Sequence, residues 1–86
     1  MNLPTVNQSL KLVHSGKSYI VTCADVFDGG FAGHYFDAIF PKRSRKTFAE
    51  GAQCSIPEVS SNCLVDFVSC SATEPRKVRF LIPKWG

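Results

Sequence analysis

Apolar and polar residues alternate with a period of two through most of this chain. Over residues 9 to 14, Leu10 and Leu12 share one side and Lys11 takes the other, the pattern of a strand with one covered face. The next four letters, "HSGK", make a turn at Gly16, which accepts positive φ without a side-chain clash. Residues 18 to 26 resume the alternation, with Tyr19, Val21 and Cys23 on one side and Ile20, Thr22, Ala24 and Val26 on the other. Both sides are largely apolar, which predicts a central strand or one in the curled wall of a small barrel.

A third strand is expected over residues 33 to 40, with Phe36, Ala38 and Phe40 on one face and Tyr35, Asp37 and Ile39 on the other. Pro41 ends it, because proline gives the ladder no donor and restricts the residue before it. A fourth runs over residues 63 to 70, with Leu64 and Val68 pointing one way and Val65 and Phe67 the other. The last, residues 77 to 83, turns Val78, Phe80 and Ile82 inward.

The intervening stretches are less regular. "DVFDGGFAG" has three glycines close together but neither phosphate-loop nor dinucleotide spacing, so it reads as a turn. Ser44 is placed to cap a short helix reaching Ala52, with Phe48 and Ala52 on one face and Gly51 weakening it. Residues 54 to 62 read as a loop marked by Pro57, Ser60, Ser61 and Asn62. No internal repeat shows in the letters. The expected architecture is one mainly β domain over residues 1 to 86. It is a small five-stranded antiparallel sheet or partly open barrel, OB-like or SH3-like, with one short helix between the third and fourth strands.

Composition narrows the classes. At 86 residues two separate cores would each be too small to stand alone, and 44% apolar content suffices for one. No window is long and apolar enough to span a membrane, and the amino end lacks the pattern of a signal peptide, so the expected compartment is the cytoplasm, or the nucleus in a cell that has one. The four cysteines form no CxxC pair, which argues against zinc, and with no export signal they are expected as free, mostly buried thiols.

The net charge of +3 is ordinary, but its distribution is not. Lys42, Arg43, Arg45 and Lys46 are interrupted only by Ser44, and Arg76, Lys77 and Arg79 form a second basic stretch. Catalysis finds little footing: His14 is expected exposed and His34 at the core boundary, and no nucleophile, base and orienting acid fall into a known spacing. No catalytic residue, metal ligand or cofactor is assigned.

The expected function is therefore non-enzymatic binding, first of single-stranded DNA or RNA. In that reading the two basic stretches hold phosphates while Tyr19, Tyr35 and Phe48 stack on bases. The alternative is a small inhibitor or adaptor, steered to an acidic protein by the same charges and anchored by Phe27, Phe31 or Trp85. Strands apolar on both faces also allow a homodimer through edge pairing.

Overall fold

The computed structural model of the protein describes residues 3–41, 48–69 and 76–84. Among them six antiparallel strands close into a barrel: β1 (Ser9–His14), β2 (Lys17–Asp28), β3 (Gly33–Phe40), β4 (Gln53–Ile56), β5 (Ser61–Ser69) and β6 (Arg76–Pro83). Around the barrel they run β1-β2-β3-β6-β5-β4. The chain thus makes two three-stranded meanders, joined by a long β3–β6 ladder and closed by a single β1–β4 bridge pair, Val13↔Ser55. Closure gives every strand two neighbours, with β1 and β4 meeting at that one pair.

Local chemistry explains the elements. β1 and β2 are joined by a two-residue turn in which Ser15 and Gly16 both have positive φ, the geometry whose twist matches a right-twisted hairpin. In β1, β3 and β6 the inward set is what the alternation predicts. Leu10, Leu12, Val21, Cys23, Phe36, Ala38, Phe40, Val78, Phe80 and Ile82 are all buried, and Phe36 stacks on Phe80 with centroids 5.2 Å apart.

Four expectations change. The loop expected over residues 54 to 62 contains β4, too short and too polar to announce itself, so the barrel has six strands rather than five. The helix ending at Ala52 is absent from residues 48–52: Gly51 has φ of 85°, and the Ala52 amide donates to Ala49 in a turn. The remainder of that expectation, residues 44–47, lies outside the described residues. His14 is buried, because Leu10, Leu12 and His14 lie on one side of β1; its Nδ1–H donates to the Gln53 carbonyl at 3.0 Å.

The cysteines also divide. Cys54 and Cys63 face each other across β4 and β5 with Cα atoms 4.9 Å apart and form a disulfide. Cys23 is a free thiol in the core, and Cys70 lies outside the described residues.

The second meander repeats the geometry of the first at the 42-residue spacing that separates Asp37 from Arg79. A bulge at Ala24–Asp25 in β2 recurs at Asp66–Phe67 in β5. Inward Val21, Cys23, Phe36, Ala38 and Phe40 recur as Cys63, Val65, Val78, Phe80 and Ile82, every one buried. None of those five pairs shares a residue type, so the repeat is invisible as letters. The correspondence slips at β4, whose turn to β5 occupies residues 57–60 where the first meander uses only 15 and 16.

Candidate nucleic-acid interface

The β3–β6 ladder fixes where the basic stretches attach. Phe40 pairs with Arg76 and Ile39 with Lys77, so the exit of β3 and the entry of β6 lie side by side at one end of the barrel. Lys42, Arg43, Arg45 and Lys46 follow Pro41 directly but lie outside the described residues. The chain is described again at Phe48, 6% exposed, whose ring plugs this same end. Its centroid is 5.0 Å from Phe40, 5.0 Å from His14 and 5.2 Å from Tyr19. The β1–β2 turn borders the plug and brings exposed Lys17, paired in register with His14, to the same end. Both ends of the segment carrying the first basic stretch are thus tied beside the start of the second.

The expected rings separate. Phe48 belongs to the core, and stacking it on a base would dismantle the plug; its apolar contacts outweigh its position beside charges. Tyr19 is half-buried and leans edge-on against Phe40 at 6.0 Å, so most of its ring serves the same plug. Tyr35 is half-buried on the outer wall, in the rung that runs from Phe27 to Leu81. Of the proposed protein anchors, Phe27 is half-buried beneath a guanidinium, Phe31 is 95% exposed on the short 3-10 turn Gly30–Ala32, and Trp85 lies outside the described residues.

One ring was missed. Phe67 is 55% exposed on the outer wall. The alternation put it on one face with Val65, but the bulge at Asp66–Phe67 sets two residues opposite Arg79 and turns Phe67 outward while Val65 stays buried. No residue letter marks that bulge; the only signal was Asp66 interrupting an otherwise apolar run.

Arg79 is held differently from a free phosphate contact. Its Nε–H donates to Asp37 Oδ1 at 2.8 Å and its Nη2–H to Oδ2 at 3.3 Å, and its Cζ lies 4.7 Å from the Phe27 centroid. The hydrogen bond to Asp37 raises the Arg79 pKa above its ordinary value, and the charges of Asp37, Asp66 and Asp25 raise it further. The Arg79 guanidinium is thus already engaged by one carboxylate, with two further carboxylates acting on it. The two bulges lie in this rung, Asp25–Asp37–Arg79–Phe67, one on each side of the ion pair. Lys77, one rung nearer the plugged end, is exposed; Arg76 is placed by its backbone in β6.

Comparison with protein-family models, with curated proteins and with solved structures finds no match to this chain.

Proposed function

We propose that the protein is a non-enzymatic binding module for single-stranded nucleic acid, engaging phosphates at the plugged end of the barrel. The observation that carries this reading is the pairing of Phe40 with Arg76, which sets the residue where β3 leads toward the first basic stretch beside the start of the second. Lys17 adds to them, and the nearby outer wall supplies an exposed ring in Phe67. Positive charge at the end of a small barrel and an aromatic on its wall suit a flexible single strand, whose phosphates and bases are contacted separately. Among the described residues no α-helix is available to enter a major groove.

The test is a titration with a labelled single strand of about 20 nucleotides at several salt concentrations. Affinity should fall log-linearly with salt, by about 0.7 in slope for each phosphate neutralised. Replacing Arg43→Ala and Arg45→Ala together should weaken binding several-fold and reduce the slope by about 1.4. Binding that ignores salt and both substitutions would defeat the reading.

A second reading has one observation in its favour. Phe31 stands almost wholly in solvent at the end of the barrel opposite the plug, where a protein partner would find an apolar anchor. In that case the basic end steers the partner, and Phe31→Ala abolishes its co-purification.

A further inference from the structure

The two ends of the barrel are finished differently. Phe48 and its ring neighbours fill one, whereas the other holds a depression of about 490 Å³ lined by Asp28, Gly30, Phe31, Gly33, His34 and Lys84. The ladders place two of these residues. Asp28, His34 and Ile82 share one rung across β2, β3 and β6, and His34 lies on the same side of β3 as buried Phe36 and Ala38. His34 is therefore the last side chain of that inward set before β3 leaves the barrel.

The rim is braced by its backbone. The Gly29 amide donates to the Gly33 carbonyl at 2.8 Å, the Gly30 amide to Asp28 Oδ1 at 2.9 Å and the Lys84 amide to the Ala32 carbonyl at 3.1 Å. A side chain at Gly33 would run into the Ile82 carbonyl, so glycine lets the β2–β3 loop lie this close to the end of β6. Phe31 stands 95% exposed on that braced loop.

The polar groups left over are donors. One oxygen of Asp28 already accepts from Gly30, whereas the Lys84 ammonium has no ion-pair partner among the described residues. Nδ1 of His34 is enclosed with no hydrogen-bond partner among the described residues. A proton there would be a buried donor without an acceptor, so the neutral ring carries its proton on Nε2 and has that N–H to offer. An ammonium, an N–H and an uncovered ring around a cavity of small-molecule size suit an aromatic body bearing one carboxylate.

We infer that this mouth binds a small aromatic monocarboxylate, its ring against Phe31 and its carboxylate between the Lys84 ammonium and the His34 Nε2–H. Asp28 sets the limit on charge, because a second anionic group would meet its carboxylate. The inference is independent of strand binding at the plugged end.

The test is an amide NMR titration of the intact protein with indole-3-acetate. The comparison ligands are 3-methylindole, tryptamine and acetate: the ring without charge, the ring with the opposite charge, and the charge without the ring. Indole-3-acetate should move the amides of Gly30, Phe31, Gly33, His34 and Lys84 and bind about tenfold more tightly than the other three. The His34 Nε2 signal should move with the acid and not with 3-methylindole. Phe31→Ala should weaken both of those ligands, and Lys84→Met only the acid; both side chains are exposed, so the fold is kept. Asp28→Asn, which keeps the acceptor for Gly30 and removes the charge, should tighten the acid several-fold. An acid that binds no better than 3-methylindole, or whose shifts lie away from the mouth, would overturn the site and leave the proposed function standing.

Discussion

The two meanders solve the same geometric problem with different chemistry. In the first, the β1–β2 hairpin pairs along all of β1, from Ser9↔Thr22 to His14↔Lys17, and its interior is filled by Leu10, Leu12, Val21 and Cys23. In the second, β4 pairs over only four positions and presents Cys54 and Ile56 inward. The position answering Val21 and its partner Leu10 is Cys63 and its partner Cys54. Where the first meander has two packed apolar side chains the second has a covalent bond. A strand of four residues buries too little apolar area to hold its own register, so a cross-link there offsets what packing does not supply. The seam between the halves shows the same weakness: beyond the Val13↔Ser55 bridge, the Lys11 amide donates to the Glu58 carboxylate at 2.9 Å in place of a strand partner.

That contrast can be broken from either side. Leu10→Ala should cost about 2–5 kcal/mol, because Leu10 is 1% exposed and its neighbours cannot collapse into the space, as read by chemical denaturation. Replacing Cys54 and Cys63 together with serine should cost about 2–3 kcal/mol, and a loss well under 1 kcal/mol would mean that the cross-link is redundant. Hydrogen exchange on the same variant sharpens the point: amides of β4 should lose protection while those of β3 and β6 keep theirs.

Smaller effects probe the rung shared by both halves. Asp37→Ala should cost about 1–2 kcal/mol, less than a fully enclosed pair, because 41% of the Arg79 side chain is in water. The smallest effect concerns Cys23, whose thiol is pushed above its ordinary 9.0, first by burial and then by the charges of Asp25 and Asp37, against a hydrogen bond to the Asp25 carbonyl that lowers it. A thiol that keeps its proton longer in the folded state than in the unfolded one contributes stability below about pH 9 that is lost as pH rises beyond it. Denaturation midpoints should be flat for this group up to pH 8 and decline above 9, and Cys23→Ala should remove that decline.

The same contrast explains what could be read from the letters. Strands of the first meander were legible because long period-two alternation survives on them: Phe36, Ala38 and Phe40 are inward as the pattern requires, and Gly16 marks the turn. The second meander was only half legible. β4 is brief, and three of its neighbours, Pro57, Ser60 and Ser61, carry turn chemistry that the structure does use, in a 3-10 turn at Pro57–Val59 and a left-handed Ser60. The disulfide was missed with it, since pairing Cys54 with Cys63 requires the strand to exist. Alternation also fails at a bulge, which is why Phe67 was grouped with Val65, whereas Phe48 was proposed for stacking because it follows a charged stretch. The placing of Phe40, at the end of β3, beside Arg76 was not legible at all, for it depends on the β3–β6 register, a contact between halves.

The most direct test of the central claim is a residue-resolved NMR titration of the protein with a single strand of about 20 nucleotides. Amide shifts should move at Lys17, Pro41's neighbour Phe40, Arg76 and Lys77, and at Phe67 on the wall, while Phe31 and Lys84 at the far end stay still. Shifts confined to Phe31 and Lys84, or none at saturating strand, would contradict it.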